Sequence, residues 1–100
     1  MALMEPLKLN EICDFFKTQP ILKAWVFGSY ARGEQTPDSD VDILVDFDPN
    51  ENFGLFKIVA IIDSLKQILG KEIDLVDRNQ VFPAFQKNIE KDKILIYERF

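Results

Sequence analysis

The amino-acid sequence predicts one small α/β (or α+β) domain over residues 1–100, with a sheet of about four strands and helices packed against it. Three observations predict it. Close to half of the 100 residues are apolar and 29% are charged, the composition of a chain that packs a core. Two segments alternate apolar with acidic or polar side chains at the period of a strand. Other segments repeat apolar residues three and four apart, the period of a helix.

The elements follow in order. Leu9, Ile12, Cys13 and Phe16 fall on one stripe of a first helix, and Pro20 marks its end. The run Ile21 to Phe27 becomes a buried strand in its later part and stops at Gly28. Ser29 to Pro37 is polar, with room for a short helical turn and a loop. Val41, Ile43 and Val45 alternate with Asp40, Asp42, Leu44 and Asp46, giving a strand with one apolar and one acidic face. Asp48-Pro49-Asn50 is turn chemistry. Leu55, Ile58, Ile62, Leu65 and Leu69 make the clearest helix, which Val59 and Ile61 widen; Asn52 is a candidate start cap and Gly70 an end cap. Glu72 to Val76 is a second alternating strand, and Asp77-Arg78-Asn79 turns the chain. Phe82, Phe85 and Ile89 predict a short helix with Pro83 in its first turn. Ile94 to Tyr97 forms a last short strand or an apolar tail. No internal repeat or linker interrupts this order.

Composition excludes several chemistries. There is no histidine, so Ser-His-Asp, Cys-His and zinc-histidine sites are ruled out. A metal site here must be built of oxygen, which favours magnesium, manganese or calcium. Cys13 is the only cysteine; it forms no internal disulfide and fits a small core position. The formal net charge of −5 argues against direct, sequence-independent binding to nucleic acid and allows a basic protein partner or a cation. Nine phenylalanines are many for this length. Most belong in the core, and any surplus is available for a partner surface. The first residues lack the basic-then-apolar pattern of a signal peptide, and no apolar run is long enough to span a membrane. The expectation is a cytoplasmic protein.

Two segments carry candidate chemistry. Phe27-Gly28-Ser29 runs a strand into a glycine and a serine and then into a possible helical turn. Gly28 lets backbone approach a ligand, and the amides of the turn with the Ser29 hydroxyl offer a seat for phosphate. Downstream, Asp40 and Asp42 lie two apart on a strand and so share a side. Two carboxylates this close repel each other, and a divalent cation removes the conflict. A third acid would complete a two-metal site. Asp74 is the most central candidate in the second alternating strand, with Glu72 and Asp77 as alternatives. If the two strands are neighbours, Asp74 faces the Asp40/Asp42 pair.

These residues resemble a known family. Gly28-Ser29, nine residues, then Ser39-Asp40-Val41-Asp42 is similar to the signature of the polymerase-β-type nucleotidyltransferases. The extended pattern Gly28-Ser29-Tyr30-Ala31-Arg32-Gly33 with Asp40-Val41-Asp42-Ile43-Leu44-Val45 resembles the smallest members, the minimal nucleotidyltransferases (MNT). Ile73-Asp74-Leu75-Val76 falls where that family carries its third acid. The resemblance implies a mixed sheet with flanking helices, two magnesium ions and ATP as substrate. It implies Gly28, Ser29, Arg32 and Ser39 at the nucleotide, and Asp40, Asp42 and Asp74 as catalytic residues and metal ligands. Arg32 alternatively pairs with Glu34 or Asp38. It also implies an antitoxin role: AMP passes to a hydroxyl, a tyrosine, of a HEPN ribonuclease toxin, within a homo- or hetero-oligomer. The rival readings are an antitoxin that works by contact alone, and a plain acidic domain binding calcium or nothing. The Phe82/Phe85 segment and the apolar C-terminus are either candidate partner surfaces or ordinary core.

Overall fold

A computed structural model describes residues 8–99; the N-terminal residues that bear on a signal peptide lie outside this range. The chain runs α1 (Leu9–Phe16), β1 (Ile21–Phe27), α2 (Ser29–Arg32), β2 (Val41–Phe47), α3 (Leu55–Leu69), β3 (Ile73–Asp77), a 3₁₀ turn (Arg78–Gln80), α4 (Pro83–Asp92) and β4 (Ile94–Glu98). The four strands form one mixed sheet in the order β3-β2-β1-β4. β1 is antiparallel to both β2 and β4, whereas β2 and β3 are parallel. A parallel pair needs a crossover connection, and α3 supplies it.

Strand alternation sorts the side chains into two faces. On the rear face Ala24 and Val26 of β1 meet Val41, Ile43 and Val45 of β2. Ile12 and Phe16 of α1 and Ile61, Leu65 and Leu69 of α3 close the core over them. Cys13 joins this layer, and its thiol donates to the Ile96 carbonyl at 3.1 Å. Burial pushes that thiol above its ordinary pKa, so it stays protonated and inert. Tyr30 and Tyr97 are core side chains as well, and the C-terminal apolar run is a paired strand. The front face carries Trp25, Asp42, Leu44, Asp74 and Val76. Trp25 is buried there beneath two cations: Arg78 lies 5.1 Å and Lys93 4.7 Å from its ring centroid.

Two expectations change. The stripe of α3 is buried only in its second half: Leu55, Phe56 and Val59 are exposed, Phe56 at 91%. Its first turns project past the rear core, so helical period alone overstates the buried length. The helix also starts at Gly54 rather than Asn52, with no side-chain cap, while Gly70 ends it in the left-handed conformation (φ 64°) as expected. The phenylalanines of α4 are not core either. Phe82 and Phe85 are 73% and 58% exposed, because α4 crosses the front of the sheet, where the arms of Arg78 and Lys93 already cover Trp25.

Candidate active site

The candidate residues converge at one end of the front face. β1 ends at Phe27, whose register partner on β2 is Asp42. On its other side Asp42 pairs in register with Asp74 of β3. A residue within the parallel pair thus puts its carboxylate beside a second carboxylate, on the face that the core does not use.

Gly28 follows Phe27 with φ 72°, a conformation that only glycine adopts without strain. A Cβ at this position would collide with Asp42 Oδ2, and Asp42 Cγ would lie only 3.1 Å away. The space that a side chain at Gly28 would occupy is filled by the Asp42 carboxylate. α2 is a single turn that begins at Ser29; Arg32 N–H bonds to the Gly28 carbonyl at 3.1 Å. The first amides of a helical turn have no partner within the helix. They follow directly on Gly28, the residue that lies against Asp42.

Electrostatics single out Asp42. Burial pushes its carboxyl up to about 6, the negative charges of Asp74 and then Asp40 push the same way, and Arg32 opposes them. Asp40 precedes β2 and lines a separate hollow with Ser39, Lys66, Lys71 and Glu72. The structure thus brings Asp42 and Asp74 together and holds Asp40 within Coulombic reach. Glu72 pairs with Lys66 (3.4 Å), and Asp77 accepts from the Asn79 amide (2.9 Å). Both alternatives to Asp74 have structural tasks. Ser39 is also engaged: its hydroxyl accepts from the Thr36 amide at 2.8 Å and closes the loop before β2. Arg32 donates from Nε to Glu34 at 2.9 Å and from Nη1 to Asp92 at 2.8 Å. The Glu34 partner is one of the two foreseen; the second is Asp92 of α4, not Asp38.

Comparison with known proteins adds the lineage. The family model described as polymerase beta, nucleotidyltransferase matches residues 10–100. The chain belongs to this family. A relative in Methanocaldococcus jannaschii, provisionally named a protein adenylyltransferase, is 43% identical over 84 residues, covering 83% of this chain and 81% of its own. A solved toxin–antitoxin structure with AMP-PNP superposes with a TM-score of 0.78 at 21% identity, covering 93% of this chain and 75% of that one. A complex of tri-AMPylated HEPN toxin with MNT antitoxin from Shewanella oneidensis gives a TM-score of 0.68 at 18% identity, covering 93% and 71%. At these identities the two structures establish the fold.

The donor set of this nucleotidyltransferase fits a hard divalent cation. Its oxygens are carboxylates, and an acid whose ionisation is opposed by burial and by neighbouring negative charge is relieved by a cation. Among the described residues no three such side chains already stand as a metal-binding group. No helix among the described residues is long and apolar enough to cross a membrane.

The structure also contains a feature that periodicity did not reveal. A cleft of about 380 Å³ opens beside Gly28 and Asp74. Its walls include Phe27, Val76, Val81, Phe82, Phe85 and Ile89. In the sequence only the Phe82/Phe85 pair hinted at it, as apolar residues in search of a partner.

Proposed function

We propose that this nucleotidyltransferase is an antitoxin that transfers AMP from ATP to a tyrosine hydroxyl of a HEPN ribonuclease toxin in the cytoplasm. The observation that carries the reading is the Asp42–Asp74 register pair set against Gly28. The provisional adenylyltransferase name of its archaeal relative supports it, as do the AMP-PNP and AMPylated-toxin complexes with the same fold.

Asp40, Asp42 and Asp74 would hold two magnesium ions, which supply Lewis acidity and a template for the phosphates when bound. Gly28 lets the triphosphate approach the backbone. The Ser29 hydroxyl and the first amides of α2 donate to phosphate oxygens. Arg32 adds positive charge at the same end, and Ser39 fixes the loop that delivers Asp40. Asp74, on the exposed edge of the sheet, accepts the proton of the incoming hydroxyl. The phenol oxygen bonds to the α-phosphorus as the bond to the bridging oxygen breaks, and pyrophosphate leaves. Catalysis here is positioning and charge compensation.

The test is co-expression with the product of the neighbouring gene, followed by ATP and magnesium and intact mass of the partner. The expected result is a gain of whole AMP units that disappears in Asp42→Ala. Neutralised toxicity with no mass gain, equal in the mutant, identifies an antitoxin that acts by contact alone.

A further inference from the structure

The cleft beside Asp74 has a composition that the nucleotide does not need. Of the proposed catalytic and phosphate-binding groups it touches Gly28, Arg32 and Asp74; Ser29, Ser39, Asp40 and Asp42 are absent from its walls. Its lining includes the acids Asp74 and Asp92, the latter paired with Arg32. The remaining walls are largely apolar. At about 380 Å³ the cleft lies at the small end of ligand pockets, with room for one ring system. In-line displacement needs the attacking and leaving oxygens on opposite sides of the phosphorus. With the phosphates drawn to Ser29, Asp40 and Asp42, the attacking oxygen arrives from the side of Asp74.

We infer that this cleft is the acceptor subsite, in which Phe85, Val81 and Ile89 clasp the ring of the tyrosine that receives AMP and present its hydroxyl to Asp74. This rests on the function proposed above and adds the residues that select an aromatic acceptor. An apolar cleft with an acid in its lining matches a phenol: the ring takes the apolar walls and the hydroxyl the carboxylate. The phenol proton passes to Asp74 and then to solvent while the oxygen bonds to phosphorus and pyrophosphate departs, so no further reactant is required. Phe85 and Ile89 are specificity-determining residues and take no part in bond making.

The experiment uses the full chain, purified partner toxin and ATP with magnesium. Initial rates are measured against toxin at saturating ATP, and against ATP at fixed toxin. Two variants are compared with the parent: Phe85→Ala, which removes a wall, and Ile89→Trp, which fills the slot. Phe85 is largely exposed, so its loss leaves the melting temperature within about 2 °C. The expected result for Phe85→Ala is a KM for toxin raised about tenfold, the effect of losing one good apolar contact, with KM for ATP changed less than about twofold. Ile89→Trp is expected to weaken toxin modification while AMP-PNP binding, followed by titration calorimetry, persists. An equal loss of ATP affinity would reassign the cleft to the nucleotide base and overturn the inference. Unchanged kinetics for toxin in both variants, with an active parent, would overturn it as well. An inactive parent fails the proposed transferase activity itself, and the acceptor subsite falls with it.

Discussion

Asp42 and Asp74 face each other directly across the parallel pair of β2 and β3. Two residues separated by a whole crossover helix therefore place like charges side by side, on the one face that the core leaves free. Folding alone does not reward this pairing; a cation and a triphosphate do.

Stability should accordingly depend on pH through Asp42. Its carboxyl is raised from 3.8 to about 6, so the folded state binds the proton more tightly than the unfolded chain. The contribution of this group to stability is full below about pH 4, falls as pH rises toward 6, and is lost above that. Asp42→Asn removes the penalty. At about pH 7.5 the variant should melt roughly 2–4 °C above the parent, a value reduced for the partial exposure of the site. The gap should close near pH 4. Thermal unfolding across this range, with a parent more stable than the variant at neutral pH, would sink the assignment of an ionisation penalty, from burial and then from Asp74, to Asp42.

Magnesium should reverse the order. A cation at ten times its dissociation constant adds about 1.4 kcal/mol to a protein that binds it only when folded. The parent should gain stability on magnesium titration, and gain more at pH 8 than at pH 5.5, because protons compete for Asp42. Asp42→Asn and Asp74→Asn should lose the gain. A parent indifferent to magnesium in the presence of AMP-PNP would count against the metal ligands.

Gly28 and Gly70 both have a positive φ but differ in surroundings. A Cβ at Gly70 meets nothing within 4 Å, whereas at Gly28 it strikes Asp42. Gly70→Ala should cost about 1 kcal/mol of stability from backbone strain alone and leave transfer of AMP intact. Gly28→Ala should cost roughly 2–3 kcal/mol and reduce turnover about a hundredfold, because it displaces the acid as well. Equal turnover in the two variants would show that Gly28 is only a turn.

The two halves of α3 should respond differently to substitution. Leu65 is fully buried between the helix and the sheet, and Leu65→Ala should lose about 2–5 kcal/mol. Phe56 is almost fully exposed, and Phe56→Ser should change stability by less than about 0.5 kcal/mol. Chemical denaturation of both variants checks the limit of the rear core.

Much of this architecture is visible in one sequence because its signals are local. The alternation through Val41 to Asp46 specifies which side chains face the core, and the register of β2 follows from it. Pro83 and Gly70 mark helix ends by backbone chemistry that no tertiary context overrides. The neighbouring of β2 and β3 is a different kind of fact. Nothing in either strand states that they pair, and the family resemblance was needed to expect Asp74 opposite Asp42. Helical spacing likewise cannot say where a helix leaves the core, which is why Leu55 and Val59 seemed buried and are not. The Arg32–Asp92 link and the apolar cleft join segments about 60 residues apart. They arise from how α4 lies across the front face, a packing outcome with no periodic trace.

Among the described residues β3 is the outermost strand on its side of the sheet, with β2 as its one neighbour. Strands with one neighbour exchange their amide hydrogens first and open without the rest of the molecule. Asp74 therefore rides on one of the two edge strands, a segment ready to fray. Such a transient opening would silence transfer while the rear core stayed folded, so warming should extinguish activity several degrees before it melts the protein.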